Sequence, residues 1–236
     1  FAIAANTLNL LGTGTLNNSA NAITFSTGTL DVDNNIEIDG AITISGNATI
    51  DIAAGKTLDY DGASLAIGAN TLTFTGGTGA SDVGTFENAN ALTVSTGQIT
   101  VTNKVKVSGD ITMSGNATIS IANGKTLDYD GASLAIGANT LALTGGTGAN
   151  DEGKLDNANA LTISTGTLDV DNNIEIDGNI TISDDATFDI ASGKTLDYDG
   201  DQIDIGDNAL SIIGGGTITN ANNITLSHAN SLLNIK

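Results

Sequence analysis

Apolar residues in this chain come in short bursts, each alternating with polar residues, and the bursts follow one another from end to end. The stretch from Ala41 shows the pattern. Ile42 and Ile44 flank Thr43, Ile50 and Ile52 flank Asp51, and Leu58 and Tyr60 flank Asp59. A period of two is the signature of a strand, and it sends these six apolar side chains to one side of the backbone and the polar ones to the other. The same alternation continues through Leu65, Ile67, Leu72 and Phe74, then through Leu92, Val94, Ile99, Val101, Val105 and Val107. Between the bursts lie corners such as Ser45-Gly46-Asn47, Ala54-Gly55-Lys56 and Asp61-Gly62, where glycine and asparagine let the backbone turn. No segment carries a helical period, so the chain reads as all-β.

The bursts repeat at long range. Gly-Lys-Thr-Leu-Asp-Tyr-Asp-Gly begins at Gly55, Gly124 and Gly193, a constant spacing of 69 residues. A shorter theme, apolar–Thr or Ala–apolar, opens from Ala22, Ala41, Ser64, Ala91, Asp110, Ser133, Ala160, Asn179, Gln202 and Asn223. These starts divide each 69-residue unit into coils of 19, 23 and 27 residues. A fixed period marks stacked units that cannot bury their apolar faces alone. Three alternating pairs per coil predict a triangular turn, and stacked turns give three parallel sheets around a dry core. Because parallel crossovers are right-handed in ~98% of cases, the expectation is a right-handed parallel β-solenoid (β-helix) of about ten three-strand coils. At ~4.8 Å per strand it would stand roughly 48 Å tall. We expect a single domain over 1–236, with units at about 22–90, 91–159 and 160–222 and partial coils at 1–21 and 223–236. The 27-residue coils are expected to carry long corners, Thr75 to Asn90 and Thr144 to Asn159, on one side of the stack.

Composition and charge narrow the function. Aromatics are only 3% and Pro, Cys and Trp are absent, so the core must be built from aliphatic residues and no disulfide or Cys-ligated metal is available. The chain has 27 acidic residues against seven lysines, no arginine, and a net charge of −20. Nucleic acid and anionic lipid would be repelled, and such charge keeps an extended fold soluble. No apolar run is long enough for membrane insertion.

Several motifs suggest chemistry. Gly-Lys-Thr at 55–57, 124–126 and 193–195 resembles the end of a phosphate-binding loop, but the glycine required five residues earlier is replaced by Ile50, Ile119 and Phe188. Paired carboxylates recur at Asp59 and Asp61, Asp128 and Asp130, Asp197 and Asp199, and Asp184 and Asp185. The first three pairs are the candidate cation ligands, and paired carboxylates are also what a polysaccharide-active enzyme would use. Asp31 to Glu37 and its copy from Asp169 resemble fragments of a calcium loop, yet the middle unit places Lys104 where an acid is needed, and the glycine of such a loop is missing. With no arginine and only His228, no nucleophile, base and orienter can be assembled, and the chain reads as a non-enzyme with no cofactor. Outward Thr and Ser, as at Thr24 with Ser26 and Thr43 with Ser45, form a hydroxyl ladder that an ice-binding face would use. Ala66, Gly68 and Asp204 interrupt it.

The apolar–Thr–apolar–Ser runs and Gly-Asn corners resemble the passenger and stalk regions of bacterial surface adhesins, including autotransporter and haemagglutinin-like proteins. That resemblance implies a secreted or cell-surface protein with a structural or adhesive role. The expectation is therefore a β-solenoid segment of a surface fibre that partners itself head to tail, with lateral filament contacts beside it. The alternative is an adhesin whose corners around Asp82 and Asp151 contact a host or surface glycan. For assembly, the expected contact residues are Phe1, Ile3, Leu8 and Leu10 at one end and Ile224, Leu226, Leu232, Leu233 and Ile235 at the other, where core would be exposed. The outward side of the third strand reads Glu37, Asp59, Glu87, Lys106, Asp128, Asp156, Glu175 and Asp197, a single row with one basic position. Its mutual repulsion predicts diffuse stabilisation by salt or Ca²⁺.

Overall fold

The computed structural model describes residues 2–18, 21–77, 83–132, 134–146, 152–220 and 222–236. These contain strands and turns and no helix. Every strand-to-strand pairing is parallel, and each strand lies against its counterpart one coil away, as the repeated alternation requires. The molecule is a three-sided β-solenoid. One side, here face two, is an unbroken sheet of 11 strands from Thr7–Leu10 to Leu232–Ile235. Face three is an unbroken sheet of 10 strands from Gly14–Leu16 to Thr217–Asn220. Face one carries the apolar–Thr–apolar strands and is divided into sheets of three, three and five.

Alternation sets which side chains meet inside. Leu30, Ile50, Phe74, Val101 and Ile121 follow one another along face two as register partners, and all are buried. On face three Ile38, Tyr60 and Asn88 do the same. Stacking equal positions ~4.8 Å apart lets each apolar side chain pack on its neighbours above and below, so one continuous core runs along the axis.

Two expectations need correction. The long corners are much shorter than 75–90 and 144–159, because Gly84–Asn88 and Gly153–Asn157 are the third strands of their coils. Phe86 and Leu155 are their buried apolar members. The other inward positions are glycine and asparagine (Gly84, Asn88, Gly153 and Asn157), which apolar alternation cannot flag. At the ends, Ile3 is only 4% exposed and Leu10 is buried, so neither offers open core; Leu8 is half-buried, and Phe1 lies outside the described residues.

The divisions of face one have a chemical cause. In most coils the first apolar residue of the face-one strand donates its N–H to the next coil, as Ile23 does to Ala41 O (2.9 Å) and Leu92 to Asp110 O (2.8 Å). In the Tyr-bearing coils it does not. Ile42 N–H donates to the Tyr60 hydroxyl (3.0 Å), Ile111 to Tyr129 (3.0 Å) and Ile180 to Tyr198 (3.1 Å). The buried phenol thus captures the donor that would join two coils. The sheet stops between Ile42–Ile44 and Leu65–Gly68 and again between Ile111–Met113 and Leu134–Gly137. At the third such place one register pair survives, Thr181 with Asp204.

Candidate functional site

Two features of the surface stand out chemically: the carboxylates of face three and the composition of the two ends. On face three, Glu37 sits between Thr15 and Asp59, and Asp59 beside Glu87. The ladder then steps back by two. Gly84–Asn88 is long enough to pair Glu87 with Asp59 on one side while setting Thr85 against Lys106 on the other. The next row is Thr85, Lys106, Asp128 and Asp156, and a second step starts a third row of Lys154, Glu175, Asp197 and Thr219. The single acidic row expected from the sequence is therefore three short rows, and Lys154 joins Lys106 as a basic member.

These steps decide how each carboxylate group is compensated. The carboxylates of Glu37, Asp39 and Asp61 lie within 4.8 Å of one another, and so do those of Glu175, Asp177 and Asp199. In the second group the Lys154 ammonium reaches Glu175 (3.2 Å) and Asp177. In the middle unit Lys106 pairs with Asp130. Among the described residues the first group meets only neutral donors from the preceding coil, Thr15 to Glu37 (2.6 Å) and Asn17 to Asp39 (3.2 Å). Of the expected cation ligands, Asp61 and Asp199 fall inside these groups. Asp59 and Asp197 lie alongside, Asp128 belongs to the Lys106 row, and Asp130 is the ion-pair partner of Lys106. Glu37, Asp39, Glu175 and Asp177 complete the groups, and the strand-three row expected from the sequence held only the two glutamates.

Electrostatics follow the geometry. Desolvation, then the charges of Asp61, Glu87, Glu37 and Asp39, holds Asp59 above the ordinary carboxylate range. Asp39 is raised by desolvation and then by Glu37 and Asp61. Glu175 is raised by desolvation and Asp177 although Lys154 opposes the shift. Lys106 is raised first by its hydrogen bond to Asp130. In Lys154 the bonds to Asp177 and Glu175 outweigh the effect of burial.

His228 does not build a catalytic triad. The exposed Ser227 hydroxyl donates to Asp204 (2.6 Å) and meets His228 Nδ1 (2.8 Å), so the hydroxyl stands between acid and imidazole where a triad needs the imidazole in the middle. The corner residues Asp82 and Asp151 lie outside the described residues.

The ends differ from the body. The first acidic residue is Asp31 and the last is Asp207, so all 27 acids fall between them. The strands at 224–225 and 232–235 form the edge of faces one and two. Here Leu226 is 52% exposed, Leu232 51% and Ile235 74%, while Ile224 and Leu233 are half-buried. Ile212, Ile218, Ile224 and Ile235 line an open groove at this edge. At the other edge Leu11 is exposed and Leu16 half-buried.

Sequence reasoning missed the tyrosine hydroxyls and the buried asparagines. It also missed the confinement of charge, which was legible as the positions of the first and last acids. No described helix is long and apolar enough to cross a membrane. Comparison with protein-family models, curated proteins and solved structures finds no match.

Proposed function

We propose that this chain is a non-enzymatic structural element of an extracellular surface fibre, wound right-handed and assembling with copies of itself head to tail. One observation carries the reading: in a chain of net charge −20, the first and last coils of the stack are free of acidic residues, and the last exposes leucine and isoleucine. Unpaired parallel edges with apolar rims are templates for another strand. The partner with the same coil width and strand spacing is a second copy, whose coil of Ala2–Ile3, Thr7–Leu10 and Gly14–Leu16 would extend the sheets. A heterologous contact of this kind need not close into a ring, so it grows a filament, while like charge on the sides keeps filaments apart.

Light scattering and electron microscopy across a concentration series test this. The chain should form linear oligomers, and Leu226→Asp with Ile235→Asp should return it to monomers with unchanged circular dichroism. Strictly monomeric particles at high concentration would overturn the proposal.

A further inference from the structure

We infer that the solenoid contains built-in seams at its tyrosines and that the middle one, between Ile111–Met113 and Leu134–Gly137 on face one, is the hinge at which the molecule opens first. This does not depend on the fibre reading. In a linear stack each coil touches only its neighbours, so local opening occurs at the coil–coil junction with the fewest bonds. At the three Tyr-bearing junctions the phenol takes the face-one N–H away from the neighbouring coil.

The three seams are not equally closed. At the first, Asn70 Nδ2 donates across the gap to Ile44 O (3.4 Å), and Phe86 from the next coil stacks on Tyr60 with ring centroids 6.2 Å apart. At the third, Asn208 Nδ2 donates across to Ile182 O (3.3 Å), and the pairing of Thr181 with Asp204 persists. At the middle seam Asn139 Nδ2 bonds Ile136 O in its own coil (3.0 Å), as Asn70 and Asn208 also do in theirs, but among the described residues it makes no bond across the gap, and the aliphatic Leu155 takes the register position that Phe86 holds at the first seam. Face one is fully interrupted there, while faces two and three run through unbroken. Opening must therefore start on face one and bend the solenoid away from that face, with the two continuous sheets as the pivot.

Hydrogen exchange of the full chain, read by mass spectrometry, tests this. Amides of Ile111–Met113 and Leu134–Gly137 should exchange faster than those of Leu92–Val94 and Leu161–Ile163, the same face one coil away. Tyr129→Phe removes the acceptor of the Ile111 N–H and should raise exchange at 111–137 roughly tenfold, leaving 65–68 and 203–204 unchanged. Equal protection of all face-one strands in the unmodified chain would overturn the inference. So would a Tyr129→Phe effect spread evenly along the stack.

Discussion

The glycine after each Tyr-Asp pair is held by a neighbour, not by its backbone angles. A Cβ on Gly62 would lie 2.5 Å from both Gly40 O and the Tyr60 ring, and one on Gly131 would lie 2.5 Å from both Gly109 O and the Tyr129 hydroxyl. Gly124 is the opposite case: it has open space around it but φ of +63°. Gly131→Ala should therefore cost about 3 kcal/mol through overpacking, and Gly124→Ala about 1 kcal/mol through left-handed strain. Denaturant midpoints of the two variants check the order. Glycine at these positions is equally visible in the sequence, but the reason for it is not, since only stacking brings Gly109 and Gly131 together. Asn88 is similar. It reads as a corner residue, yet it is buried because its amide donates to Asn90 O (2.9 Å) and Asp110 O (3.2 Å) while accepting from Gly109 N–H (3.1 Å).

Among the strands, alternation made the inward set legible, from Ile42 and Ile44 to Leu196 and Tyr198, but it left the register of face three undetermined. A slip of one residue turns a strand inside out and is selected against; a slip of two keeps every apolar side chain inward, so the hydrophobic pattern does not report it. That is why the row through Glu87 and Lys106 was misread, and why Lys154 was not placed beside Glu175. The corrected rows have a measurable outcome. Asp39, Asp59, Asp128 and Glu175 are raised above their ordinary values, chiefly by desolvation and neighbouring acids. Between their ordinary and raised values the folded chain binds more protons than the unfolded one, so stability should rise as pH falls from neutral into that window and flatten below it. Lys106 and Lys154, also raised, contribute stability that is lost only as pH climbs through their folded values. Melting temperature should likewise increase with salt or millimolar Ca²⁺ at neutral pH, most around Glu37, Asp39 and Asp61, which among the described residues have no lysine beside them. Flat melting curves across pH and salt would contradict this account.

The molecule as a whole is a stack whose length is set by how many units it holds, with ten coils standing ~48 Å tall. The 69-residue period was plain from Gly55, Gly124 and Gly193, but its natural boundaries were not. Sequence divides the units near 22, 91 and 160; hydrogen bonding divides them where the tyrosines interrupt face one, after 63, 132 and 201. Joining residue 63 to residue 133 therefore recreates an existing junction. A chain lacking 64–132 should fold with unchanged β-type circular dichroism and be shorter by about 14 Å, three strand spacings, in small-angle scattering. Loss of structure on that deletion would mean that the units are not interchangeable. The phenols also give the stack an optical property. The chain has three tyrosines and no tryptophan, and all three tyrosines sit at the seams, fully buried with the ring oxygen bonded to backbone. Its native tyrosine emission thus comes wholly from the three joints, and replacing any two tyrosines by phenylalanine leaves a label-free lamp at the third.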